Sequence, residues 1–112
     1  MGTIANFDET VIQGSHAAPT LVDFWAPWCG PCQSLSPILD ATIQHYGGRV
    51  RLVTVNIDQQ SELAERFRIQ GIPAVKIFRD GAVIDEFVGL QSERQIQWML
   101  DQHLPPKEVS AD

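Results

Sequence analysis

The sequence predicts an α/β fold in which a mixed central β-sheet carries helices on both faces. Three observations point to it. Segments of helical and strand periodicity alternate along the chain, the first two strand-like runs are separated by a helix-length segment, and the last two are separated only by Asp80-Gly81. A helical crossover makes the first pair parallel, and a two-residue turn makes the last pair antiparallel. Each face of such a sheet must be covered, and helices are the elements left to cover it. The 112 residues read as one domain, with a core over about 6–104 and a tail over 105–112. A chain this long buries roughly two-thirds of its unfolded surface, enough for a core without staples.

Taken in order, Asn6 followed by Glu9 resembles an N-cap with a carboxylate at N3, opening a short helix over about Phe7 to Gln13. Gly14, Ser15 and Pro19 read as a loop. Thr20 to Trp25 is apolar on both faces and predicts a buried parallel strand. Ala26 to Pro31 breaks the pattern. Helical spacing then runs from Cys32 through Leu35, Ile38, Leu39, Thr42, Ile43 and Tyr46, with Gly47 as the C′ residue and a kink expected at Pro37. Val50 to Ile57 alternates as a second strand. Ser61 to Phe67 predicts a short helix with Glu62 and Arg66 paired at i, i+4. Ala74 to Phe78 and Ala82 to Phe87 are the hairpin strands. Ser92 and Gln95 cap a last helix with Ile96, Met99, Leu100 and His103 on one side, which Pro105-Pro106 ends. Thr3 to Ala5 could add an edge strand, but three residues carry little signal.

Eight Lys plus Arg against fourteen Asp plus Glu leave a net charge of −6. That balance argues against nucleic acid or an anionic membrane surface as partner, since phosphates need clustered cations to replace their counterions. No apolar run approaches the ~20 residues that span a bilayer. Met1 to Thr10 holds two acids and no Lys or Arg, which does not read as a secretory signal.

The chain has two cysteines, Cys29 and Cys32, in the run Trp28-Cys29-Gly30-Pro31-Cys32. A disulfide between them closes a very short loop, the kind that stabilises least. Zinc would need about two more ligands, and His16, His45 and His103 are isolated from one another. The reading left is a dithiol that cycles with its disulfide, one thiolate attacking and the second thiol resolving the mixed disulfide. If the motif opens a helix, Cys29 sits at its N-terminus, where unpaired amides and the dipole favour the thiolate. Cys29, nearest the expected solvent edge, is the candidate nucleophile, and Cys32, one turn further in, the shielded resolving thiol. Asp23 is the odd residue of its strand, surrounded by apolar groups whichever face it takes, and burial should raise its pKa. A buried carboxylate near the inner thiol could take the proton from Cys32. A structural acid satisfied by an amide or water is the alternative. Gly30 would let a substrate backbone come close, and Pro31 would stiffen the turn.

Val22-Asp23-Phe24-Trp25-Ala26-Pro27-Trp28-Cys29-Gly30-Pro31-Cys32 resembles the active-site segment of the thioredoxin family almost residue for residue. Gly71-Ile72-Pro73 resembles the family's cis-proline loop, Asp80-Gly81 its hairpin turn, and Gly89 the glycine after the last strand. The match runs from about Asn6 to Leu104. It implies a thioredoxin-like fold and a cytoplasmic thiol–disulfide oxidoreductase that reduces protein disulfides, serving electron transport and cell redox homeostasis. It also implies a cis Ile72–Pro73 bond facing the cysteines, with the preceding backbone open to an extended substrate. Trp28, Ile72 and Leu90 would then form an apolar docking rim beside Pro73 and Gly89, with Trp25 beneath the site. Proline at position 31 goes with a reducing poise in the family. The implied partners are disulfide-containing client proteins and a flavin-dependent thioredoxin reductase using NADPH, with no cofactor bound by this chain. Trp98 reads as partial core or rim packing, Met99 as core, the histidines as surface or helix-end residues, and the acids other than Asp23 as solvated faces.

Two departures stand out. Gln33 follows the second cysteine where family members usually carry lysine, and Thr54 stands where many carry another near the buried acid. Both make the local field less positive. The tail Leu104-Pro105-Pro106-Lys107-Glu108 and the stretch Asp85-Glu86-Phe87-Val88-Gly89 also look similar to thioredoxin domains that head longer tetratricopeptide co-chaperones. A client-binding module with secondary redox activity is therefore the alternative. An isomerase or oxidase fits less well, because Pro31 stands where those relatives typically have histidine.

Overall fold

A computed structural model describes residues 6–104. The edge strand considered for Thr3 to Ala5 and the ending at Pro105-Pro106 lie outside the described residues. Strand β1 (Thr20–Trp25) is followed by α1 (Gly30–Tyr46), β2 (Arg51–Asn56), α2 (Ser61–Arg66), β3 (Ala74–Arg79), β4 (Ala82–Val88) and α3 (Glu93–Asp101). The sheet order is β2-β1-β3-β4. β1 pairs with β2 in parallel and β3 with β4 antiparallel, as the connections predict, and the structure adds an antiparallel pairing of β1 with β3. β1 is thus an inner strand, which explains its apolar residues on both faces.

The side chains of β1 divide the core in two. Leu21 packs with Val75 and Ile77 against Leu35, Leu39 and Tyr46 of α1 and Ile96 and Leu100 of α3. Val22 and Phe24 point the other way, into a cluster of Phe7, Val11, Val55 and Phe78 that Leu63 and Phe67 cover. Helices therefore lie on both faces of a mixed sheet.

Turn chemistry fixes the connections. Asp80 and Gly81 both take positive φ, 52° and 83°, the conformation that a tight hairpin requires. Gly47, at φ 60°, ends α1, which runs unbroken through Pro37. Ser92 and Gln95 form the expected capping box, with Gln95 N–H donating to Ser92 Oγ at 3.1 Å and Ser92 N–H to Gln95 Oε1 at 2.9 Å. Ser92→Ala is expected to lower stability by about 1 kcal/mol and Ser92→Gly by only a few tenths. Urea unfolding at unchanged m-value measures both.

The structure departs from the sequence reading at several places. The N-terminal helical segment, Asp8–Gln13, winds as a π-helix rather than an α-helix, although Asn6 Oδ1 does accept from Glu9 N–H at 3.0 Å. Seven residues with apolar positions four apart do not distinguish the two windings. Gly14–His16, expected as loop, forms a 3₁₀ turn. Ser15 is buried there, its hydroxyl donating to Ile12 O and accepting from Gly81 N–H, while Ser15 O accepts from Asp80 N–H. The β3–β4 turn is thereby seated on this segment. Arg66 reaches across to Asp8 at 2.9 Å instead of pairing with Glu62, and stacks over the Phe7 and Phe67 rings. Trp98, expected to pack, is 68% exposed on α3.

Two polar ties hold the ends of the helices. Tyr46 OH donates to Asp101 Oδ1 at 2.7 Å and contacts Gln97 O at 3.0 Å, joining α1 to α3. His103, read as a helix-end surface residue, is half-buried with Nε2 2.8 Å from Asp85 Oδ2, and Arg79 Nη1 donates to its carbonyl at 2.7 Å.

Candidate active site

The site is built where β1 gives way to α1. Cys29 keeps an extended backbone, φ −95° and ψ 109°, and is the N-cap of α1, while Gly30 and Pro31 occupy its first turn. Proline is suited to that turn, because its missing N–H is one the helix leaves unpaired. Cys32 N–H donates to Cys29 Sγ at 3.2 Å. An amide donor and the positive end of a 17-residue helix both favour negative charge on that sulfur once the pair is reduced.

Cys29 and Cys32 are joined by a disulfide with their Cα atoms 5.3 Å apart. Both are buried, at 5% and 3% exposure, so the solvent-edge position expected of Cys29 does not hold in the oxidised protein. The disulfide packs with Ala26 under Trp25, Ile57 and Ile72. Trp25 is thus in contact with the buried cluster that holds the disulfide.

Asp23 is 4% exposed and its Oδ1 has no hydrogen-bond partner. Desolvation by burial pushes its carboxyl up from 3.8 to about 7. It lines a cavity of about 230 Å³ together with Trp25, Cys32, Gln33, Ser36 and Thr54. A carboxyl that titrates near neutral pH in the same cavity as the inner thiol is placed to exchange a proton with it.

Around the dithiol, the Ile72–Pro73 peptide is cis, as the resemblance implied. Gly89, at φ 96°, donates its N–H to Pro73 O at 2.8 Å, so these two substrate-side candidates meet. Ile72 packs against the cysteines, whereas Leu90 and Trp28 are exposed, Trp28 at 68%. Trp28 Nε1 donates to Asp58 Oδ2 at 3.0 Å. Asp58 was expected to be a solvated acid, and its role as anchor of Trp28 is a correction. A signal for it existed. It follows Asn56, whose Oδ1 accepts from Asp58 N–H, just past the carboxyl end of a parallel strand, where α/β sheets gather their binding residues. Gln33 was noted only for the charge it lacks, yet its Nε2 donates to Pro27 O at 2.9 Å and braces the loop before Cys29. Among the described residues no three His, Cys, Asp or Glu side chains gather into a metal-holding group, and no helix is long and apolar enough to cross a membrane.

Comparison with known proteins agrees with this geometry. The family model Thioredoxin matches residues 2–102. The chain is 41% identical to Thioredoxin 1 of Synechococcus elongatus, 37% to Thioredoxin 1 of a Nostoc species and 36% to Thioredoxin of Staphylococcus haemolyticus. Each match extends over 102 residues, 91% of this chain and 94% of the relative.

Proposed function

The chain belongs to the thioredoxin family and is a thiol–disulfide oxidoreductase, and from that premise we propose that it works as a reductase of protein disulfides. The observation that carries the proposal is the sulfur of Cys29 at the N-cap of α1, accepting the Cys32 amide. In the reduced protein the Cys29 thiolate attacks one sulfur of a substrate disulfide. The substrate S–S bond breaks, the freed sulfur takes up a proton, and a Cys29–substrate mixed disulfide forms. Cys32 gives its proton to Asp23 and attacks Cys29 Sγ. The Cys29–Cys32 bond forms and the second substrate thiolate leaves, so two electrons have passed to the substrate. Pro31 supports the reducing direction by family resemblance.

Ile72 packs against the dithiol, Pro73 follows Ile72 in the chain and accepts from Gly89 N–H, and exposed Trp28 and Leu90 offer apolar surface for the substrate chain. The electron donor that reopens the disulfide is thioredoxin reductase with NADPH, again by family resemblance. No cofactor is assigned to this chain, and a cytoplasmic location fits the family. The relatives are named as thioredoxins and are matched over nearly their whole length, which favours this reading over a client-binding module of a co-chaperone.

Insulin-disulfide reduction with thioredoxin reductase and NADPH tests the proposal, beside suppression of client aggregation without reductant. Turnover abolished by Cys29→Ser is the expected result. Negligible turnover together with cysteine-independent suppression of aggregation overturns it.

A further inference from the structure

The sheet ends in β4, an edge strand, and α3 packs beside it. Between the two lies a groove of about 570 Å³. Asp85 and Phe87 of β4 line one wall, and Arg94, Trp98 and Met99 of α3 line the other. Its end is formed by Gln91, which follows Gly89 and Leu90 in the chain. Gly89 N–H is bonded to Pro73 O and Leu90 is 52% exposed, so the groove starts where the substrate-side residues end.

Arg94 and Trp98 are four apart on α3 and therefore share one face of the helix. Trp98 is exposed, and an open indole beside an arginine is the pairing that anchors protein interfaces. The acids nearby are engaged. Asp85 Oδ2 lies 2.8 Å from His103 Nε2, Glu93 Oε2 accepts from Gln97 Nε2 at 2.8 Å, and Glu86 is paired with Lys76. Arg94 makes no ion pair among the described residues. A guanidinium left open next to an apolar surface selects for a carboxylate that adjoins an apolar group.

We propose that this groove is a second contact region for client proteins, taking a client segment in which an acidic side chain adjoins an aromatic one near the disulfide. The carboxylate pairs with Arg94, and the aromatic ring packs against Trp98 above Phe87 and Met99. The inference rests on the reductase reading above and adds a preference among clients, not a chemical step. Continuity decides the occupant. A client held at Pro73 and Gly89 carries its own chain onward past Leu90 and Gln91, so the second contact forms within the complex and needs little affinity of its own. A second copy of this chain would bring the same net charge of −6, which opposes association.

Disulfide peptides that differ only in an Asp-Phe or a Lys-Phe pair, placed at successive positions from the cysteine, serve as substrates with thioredoxin reductase and NADPH. Beside them, 2-hydroxyethyl disulfide is too small to reach the groove. The best Asp-Phe peptide should show a KM about three- to tenfold below its Lys-Phe counterpart at equal kcat, the scale of one surface ion pair gained against one like-charge contact. High salt should close the gap. Arg94→Glu should reverse the preference and Arg94→Lys retain it, while Trp98→Ala should raise KM for the Asp-Phe peptide by about three- to tenfold. Each variant should reduce 2-hydroxyethyl disulfide at the native rate. Equal KM values for the two peptides, or a preference that survives Arg94→Glu, overturn the proposal, and normal reduction of the small disulfide then leaves the reductase reading standing. A peptide preference unchanged by Trp98→Ala, together with a dimer that this variant dissociates in sedimentation, assigns the groove to a second copy and overturns it too. Failure to reduce the small disulfide removes the reductase reading and this proposal with it.

Discussion

Serine in place of Cys32 should turn the protein into a trap. Reaction with a disulfide peptide should leave nearly every molecule of Cys32→Ser carrying one substrate arm on Cys29, readable as a single mass addition. Cys29→Ser should carry none. The asymmetry follows from the backbone. Cys29 is the residue at the N-cap, and the Cys32 amide points at its sulfur, so the helix N-terminus stabilises negative charge on Cys29 whether or not position 32 holds a thiol. The attack therefore survives the substitution. Release does not, because it needs a second sulfur held at bonding range, which the 5.3 Å Cα separation provides. An intramolecular nucleophile acts at an effective concentration far above that of any free thiol, so its loss should slow release by on the order of 10³-fold or more. Burial of both sulfurs in the disulfide sharpens the test, because exposure does not decide which cysteine attacks. Accumulation of the adduct in Cys29→Ser, and not in Cys32→Ser, would exchange the two roles.

The motif was legible because its chemistry is local. Two cysteines three apart, with proline in the first turn of a helix, specify an N-cap sulfur without reference to the rest of the chain. The strands were legible for a similar reason. Leu21, Val22 and Phe24 leave β1 no polar face, and Asp80-Gly81 permits the positive φ values found there. What the sequence hid depends on groups far apart along it. Ser15 is ordered by the hairpin turn at Asp80 and Gly81, so the segment that carries it reads as loop until the turn is seated on it. Asp58 reads as a solvated acid until Trp28, thirty residues earlier, donates to it. His103 and Asp85 meet only because α3 returns alongside β4. Periodicity in turn overestimated Trp98, since an apolar ring at helical spacing does not reveal where the helix rolls out of the core. Asp23 lies between these cases. Its apolar neighbours foretold burial, but its unpartnered oxygen and the cavity shared with Thr54 emerge only from the pairing of β1 with β2.

Asp23→Ala should make the protein more stable and a poorer catalyst, and the pH dependence of both effects identifies the cause. Burial pushes the folded-state carboxyl to about 7 from 3.8, so between those pH values the folded protein binds the proton more tightly than the unfolded chain. Stability of the native protein must then fall as pH rises from about 4 to about 7 and level off above it. The full penalty corresponds to about 4 kcal/mol at 1.36 kcal/mol per pH unit, and the space left by alanine offsets part of it. A gain of about 2–3 kcal/mol is expected at pH 8, turning into a loss of about 1–2 kcal/mol near pH 3, where only the space left by alanine remains, by urea unfolding of the oxidised protein. Asp23→Asn separates charge from volume, since it stays neutral at every pH and fills the same space. A gain that does not change with pH would mean that Asp23 is ionised and compensated in the fold. In single-turnover kinetics the alanine variant should form the mixed disulfide at the native rate and release substrate about 10²-fold more slowly at pH 7, the scale of a lost general base. The inflection near pH 7 in the release rate should disappear with it. Unchanged release would leave the buried carboxyl without a part in the reaction. A carboxyl that weakens the fold most above pH 7 is unprotonated there and free to accept the Cys32 proton, so the stability loss and the acceleration of release have one origin: an ionisable group kept where water is scarce.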